Sequence, residues 1–251
     1  MKKRKFLSTK TIALLSASAL LLVGSTVGST RAALTYYSEN YVAQVEVSSI
    51  GVSLKENDKV VSSRDYNHRN DEWNETSEAL LADLQKDGKI VPGKKYDEEL
   101  KVSNSGSIDS YVRVILTKSW KTPDGKKDTN LDPDWIELNL LTEDGWMVDE
   151  SASTKERTVL YYSGIVGAGQ ETPAFVDSLK INNEIGQQVK QEISTDKDGN
   201  KIINHVYKYN GYQFDLEAEV NAVQTHNAQD AIKSAWGVDV YVAEDGTLSL
   251  Q

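Results

Sequence analysis

Residues 211–224, GYQFDLEAEVNAVQ, restrict the fold of this chain more than any other stretch. Tyr212, Phe214, Leu216, Ala218 and Val220 alternate with Gln213, Asp215, Glu217, Glu219 and Asn221. A period of two over that length predicts a β-strand with one buried face and one wet, acidic face. Strands with one solvated face belong to antiparallel sheets, because parallel sheets are covered on both sides. The region 96–120, YDEELKVSNSGSIDSYVRVILTKSW, has two arms of the same kind. Tyr96, Leu100 and Val102 share one side of the first arm, and Val112, Val114 and Leu116 share one side of the second. The centre between them, SNSGSIDS, is small and polar.

Further strands are expected at 135–141, 145–149, 157–164, 174–181, 201–209 and 237–243. Asp-Gly pairs at 124–125, 144–145, 198–199 and 245–246 mark tight hairpins, since glycine takes positive φ without steric cost. In VEVSSIGVSL (45–54), Val45 and Val47 are in one phase and Ile50, Val52 and Leu54 in the other. The slip at Ser48-Ser49 predicts a bulge or a corner. Many short strands punctuated by turns point to a sandwich or a barrel. Two helices interrupt them. TSEALLADLQKDG offers Thr76 or Ser77 as N-cap, an apolar stripe of Leu80, Leu81 and Leu84, and Gly88 as stop. NAQDAIKSAWG offers Asn227 as N-cap, Asp230 in the first turn and Gly237 as stop, with Trp236 expected to cover an end or edge of a sheet. The polar run 55–76 reads as a surface insertion, and no linker divides the chain into two β domains.

The chain opens MKKRKFLSTKTIALLSASALLLVGSTVGSTRAALTYYSENY. A basic head (Lys2, Lys3, Arg4, Lys5), an apolar stretch and small residues around 30–33 form the order of a secretory signal peptide. Cleavage is expected between Ala32 and Ala33, leaving residues 33–251 as one β domain. Ser16, Ser18, Gly24 and Ser25 dilute the apolar stretch, which is short for a stable span, and this argues against an uncleaved anchor. The leader takes six of the 28 Lys and Arg and none of the 38 acids, so residues 33–251 carry 22 bases against 38 acids, a formal charge of −16. Such a surface repels nucleic acid and anionic membranes, and neither is an expected partner. With no cysteine, the core must do the stabilising, and thiol nucleophiles and thiolate metal sites are excluded.

Chemistry-bearing motifs are sparse. His68, His205 and His226 share no spacing that sets two imidazoles on one helix face. No Gly-x-Ser-x-Gly occurs, and Gly164, Gly167 and Gly169 of YYSGIVGAGQ read as a turn between strands rather than a phosphate loop. STDKDGNK sets Asp196, Asp198 and Asn200 in alternate positions, but it lacks the later glutamate and the flanking helices of a calcium loop. It reads as a hairpin tip. No catalytic residue, metal ligand or cofactor is assigned.

Three stretches together resemble the TasA/camelysin (CalY) family of exported Gram-positive matrix proteins. The leader end VGSTRAALTYYSENY is similar to leaders processed by the SipW-type signal peptidase. VPGKKYDEELKVSNSGSIDSYVRVIL resembles that family's Pro-Gly turn, strand, Asn-x-Gly-Ser centre and returning strand. VLYYSGIVGAGQETPAFVDSLKIN resembles its Tyr-Tyr strand, glycine turn and entry to the next strand. The resemblance implies an all-β, jelly-roll-like antiparallel β-sandwich with short inserted helices. It implies a secreted structural subunit of biofilm matrix fibres, at the cell surface or in the extracellular matrix, and not an enzyme. Assembly would be a head-to-tail homopolymer formed by donor-strand exchange, with the segment 33–47 freed when the leader is removed. Tyr36, Tyr37, Tyr41 and Val42 would bury in a neighbour; the alternative is that they form the first strand of their own sheet. The signal peptidase is the partner during export, and an accessory protein anchoring the fibre is left open. Two other readings stand beside it: a camelysin-like secreted metalloprotease, for which the sequence has no zinc motif, and a surface module for carbohydrate or host protein, whose sign would be Trp73, Trp120 or Trp146 clustered on one exposed face.

Overall fold

The structure, a computed structural model, describes residues 49–67, 72–86 and 90–251. In chain order the strands are β1 (Gly51–Glu56), β2 (Lys59–Asn67), β3 (Glu72–Ser77), β4 (Lys95–Ser103), β5 (Ser110–Lys121), β6 (Lys127–Asp128), β7 (Ile136–Leu140), β8 (Trp146–Val148), β9 (Arg157–Tyr162), β10 (Val176–Ile181), β11 (Val189–Thr195), β12 (Lys201–Tyr207), β13 (Gln213–Gln224), β14 (Val240–Val242) and β15 (Leu248–Leu250). The helices are α1 (Ala82–Lys86), α2 (Glu184–Gln187) and α3 (Ala228–Trp236), with a 3-10 turn at Pro133–Trp135. One sheet runs β3-β2-β1-β4-β10-β7 and a second β13-β5-β9-β8, with β6 also on β5; β11–β12 and β14–β15 are separate hairpins. All these pairs are antiparallel. The fold is the expected all-β antiparallel sandwich with short inserted helices.

The alternation read from the sequence decides which side chains meet. Val52, Leu54, Val61, Leu100, Val102 and Val176 of the first sheet pack on Val112, Val114, Leu116, Trp146 and Leu160 of the second. Each such side chain, moved out of water, contributes about 1.5–3 kcal/mol, and this layer is what holds the two sheets face to face. The outer face of the second sheet is covered as well. Tyr111, Ile115, Val159, Tyr161 and Val223 lie under Ala228 and Ile232 of α3 and under Val240 and Leu248 of the β14–β15 hairpin. Strand β5 is therefore buried on both sides for most of its length, and SYVRVIL is a nearly unbroken apolar run for that reason. Arg113 fits there because its guanidinium bonds Asn221 Oδ1 (2.7 and 3.1 Å) and lies over the Trp236 ring at 5.1 Å. Trp236 thus helps cover a face of the sheet, not an end or edge.

Other expectations need correction. The run 55–76 is not an irregular insertion: β2 and β3 extend the first sheet, β3 wholly exposed at its edge. Thr76 and Ser77 do not cap a helix; they pair with Ser63 and Ser62 as the end of β3, and α1 begins only at Ala82. Asn227 precedes α3 in a left-handed conformation (φ 50°) without a side-chain cap bond. Three Asp-Gly pairs close hairpins (β5–β6, β11–β12, β14–β15), whereas Asp144-Gly145 links β7 to β8 across the two sheets. Ser48 of the expected bulge lies outside the described residues; the β1–β2 register shifts instead at Leu54/Lys55.

Candidate functional site

Strand β13 is the long alternating segment with which the sequence reading began, and it ends the second sheet. Among the described residues it pairs with β5 alone. An edge strand leaves every second backbone N–H and C=O without a ladder partner. Its apolar side chains Phe214, Leu216, Ala218 and Val220 point inward as predicted, joined by Ala222, yet they are only partly buried. Beside this edge lies a cavity of about 1140 Å³, walled by Leu80, Leu81 and Leu84 on one side and by Trp120, Phe214 and Leu216 on the other, with Ile181 and Ile185 between. A smaller space of about 210 Å³ adjoins it, lined by Leu54, Val61 and Ala218 and sharing Leu80 and Leu216. The two form one apolar seam along the open side of the sandwich. Charge sits on its rim: Lys121 pairs with Asp215, and Glu217 is exposed. Tyr209 at the far wall stacks edge-on against Trp135 (6.1 Å) and Tyr212 (5.2 Å).

One wall of the seam is held by a buried carboxylate. Glu56, at the end of β1, accepts the backbone N–H of Leu81 at 2.7 Å. Leu81 has φ +60°, a conformation that costs an L residue of its size about 1–2 kcal/mol and persists only when its surroundings fix it. Glu98, also buried, accepts from Asn57 Nδ2 at 3.0 Å. Burial raises the pKa of both carboxyls, and the negative charge of Glu56 pushes Glu98 further in the same direction.

The described chain begins at the opposite end. Ser49 and Gly51 are clasped by the SNSGS centre: Ser107 N–H donates to Ser49 O (2.9 Å), Ser49 N–H to Ser107 Oγ (2.8 Å), and the Ser105 and Gly106 N–H groups to Gly51 O (3.1 and 3.2 Å). A Cβ on Gly106 would stand 2.5 Å from both Gly51 N and Ser49 O, so only glycine permits this backbone crossing. Asn104 organises the loop, donating to the Ile108 and Val166 carbonyls (2.7 and 2.8 Å) and accepting from Gly106 N–H (2.9 Å). Ser110 starts β5 at this end, and Trp120 reaches the seam at the other. Ten residues of strand separate them, about 33 Å at ~3.3 Å per residue.

The residues singled out for export and assembly, Ala32, Ala33, Tyr36, Tyr37, Tyr41 and Val42, lie outside the described residues, as does His68. His205 is exposed on β12 and His226 sits in the turn before α3. Among the described residues no three His, Cys, Asp or Glu side chains are placed to hold a metal. Asp196 spends its carboxylate on the turn, accepting from the N–H groups of Asp198 (2.9 Å) and Asn200 (2.8 Å). Trp120 and Trp146 are buried and Trp73 is exposed on β3, so these tryptophans make no common surface. Sequence reasoning missed the seam itself. Its signal was present in Glu217 and Asp215, charges of the kind that guard a sheet edge, but alternation is the same in edge and central strands. Among the described residues no helix is long and apolar enough to cross a membrane. No protein-family model, curated protein or solved structure matches the chain.

Proposed function

We propose that the protein is a secreted structural subunit that polymerises outside the cell by strand addition. The N-terminal segment 33–47 of one molecule pairs with the free edge of β13 in the next and sinks its apolar side chains into the seam. The observation that supports this reading is the separation between Ser49, where the described chain begins, and the open seam. The chain enters the sandwich at Ser49, beside the start of β5, while the open seam lies at the far end of the same strand. A donor and an acceptor at opposite ends of one body join copies head to tail, and build an open filament where the rotation between copies does not close a ring. Backbone hydrogen bonds along the edge supply affinity, and alternate side chains reading the seam supply specificity. Removal of the leader by a signal peptidase frees the donor.

Purified protein beginning at Ala33 is expected to form fibres visible by electron microscopy. A chain beginning at Ser49 is expected to remain monomeric, and a synthetic peptide of residues 33–47 added in excess is expected to arrest growth of the longer form. Monomers at every concentration, indifferent to the deletion, would sink the proposal.

A further inference from the structure

The hairpin β11–β12 stands apart from the rest of the fold. Both of its strands are exposed along their whole length. Its register sets Val189 opposite Tyr207 and Ile193 opposite Ile203. Alternation places these four on one face, together with Gln191 and His205. They are 44, 61, 60 and 47 % exposed respectively, two apolar cross-strand pairs with the polar Gln191–His205 pair between them. A free two-stranded hairpin is marginal in water, and exposed apolar pairs of this kind mark a contact surface. This face runs into the seam: Tyr207 lines the larger cavity, and the chain continues from it through Tyr209, Asn210 and Gly211, all on the cavity wall. The base of the hairpin is fixed by Lys208 N–H donating to Gln188 O (2.8 Å) and by the Trp135–Tyr209–Tyr212 cluster.

We infer that β11–β12 is a clamp that closes over the strand received from a second copy of this chain. The inference rests on the strand-addition reading and names what completes that site. Two features of the sequence select the 33–47 segment of a second copy as the occupant. That segment, ALTYYSENYVAQVEV, contains Glu39 and Glu46 and no base, whereas the stretch 189–208 carries four lysines (Lys190, Lys197, Lys201, Lys208) against three acids, a net positive element on a strongly acidic protein. Its tyrosines and valines offer the apolar side chains that Val189, Ile193, Ile203 and Tyr207 lack. Residues 33–48 extended span about 53 Å at ~3.3 Å per residue, enough to run the length of β13 and pass under the hairpin.

The test uses the chain beginning at Ala33 and the double variant Ile193→Ser/Ile203→Ser. Both positions are exposed in the monomer, so its melting temperature should not move. The variant is expected to raise the critical concentration for fibre growth by about tenfold or more. Amide hydrogen exchange in 189–207 of the unchanged protein should be fast in the monomer and protected in the fibre. Normal fibres with an unprotected hairpin and an unchanged critical concentration overturn the clamp and leave strand addition standing. Absence of fibres from the unchanged protein overturns both. Protection that is already present in dilute monomer, and lost when 33–47 is deleted, assigns the clamp to the molecule's own segment and overturns the second copy as its occupant.

Discussion

Asn104 has no exposed surface, and its three side-chain hydrogen bonds tie the loop that grips Ser49 and Gly51 to itself, at Gly106 and Ile108, and to Val166 of the β9–β10 connection. Asn104→Ala would remove all three of these bonds, although Gly106 N–H keeps Gly51 O and the Val166 carbonyl keeps Ser110 N–H. An unmade bond to a buried group costs about 1–3 kcal/mol, so urea denaturation should show a loss of about 1–3 kcal/mol. Gly106→Ala acts on the same place by a different cause. Its Cβ meets backbone atoms at 2.5 Å, so the clasp must open. It is expected to destabilise the fold by a few kcal/mol and to expose the chain near Ser49 to protease, read as a new cleavage product. In the sequence this loop looked like a soft polar centre. Residue type alone could not reveal that Asn104 is buried, because its partners Ile108 and Val166 come together only through the β9–β10 connection.

At the scale of elements, the seam's wall depends on a buried acid where the sequence offered a helix cap. Thr76 and Ser77 had the right chemistry to cap, but pairing with β2 claimed them, and Glu56 from β1 took over the Leu81 N–H. No window around residue 80 contains that information. Glu56 and Glu98 both hold their protons more tightly in the fold than in the unfolded chain. Their contribution to stability is complete below the ordinary glutamate pKa and is lost as pH rises through the raised folded values. Replacing Glu98 by Gln keeps an acceptor for Asn57 Nδ2 and removes the like charge beside Glu56. The melting temperature of Glu98→Gln should therefore exceed that of the parent at pH 7 by several degrees and approach it at pH 4. An equal gap at both pH values would exclude charge burial as the cause. The comparison must be made between the two proteins at each pH, because carboxylates with lowered pKa, such as Glu171 beside Lys55 and Asp132 beside Lys155, impose the opposite slope on both.

For the whole molecule, charge sets the conditions of assembly. Copies bearing a formal −16 over residues 33–251 repel one another, and that repulsion is screened over a Debye length of about 10 Å at 0.1 M salt. Fibre growth should therefore quicken as sodium chloride is raised from about 10 to 150 mM, followed by light scattering; growth that slows with salt would point to charge attraction as the driving contact. The sequence by itself determined that the chain is all-β, which side chains of β4, β5 and β13 face the core, and where most of the tight turns fall. Those properties are local: a period of two, or an Asp-Gly pair, acts on its own few residues whatever surrounds them. Only the tertiary structure decided that, among the described residues, β13 is an edge and β11–β12 is uncovered, that α3 lies on a face of the sheet, and that an apolar seam opens at the end away from Ser49. These depend on which strands become neighbours, and a strand carries the same alternation in the middle of a sheet as at its border.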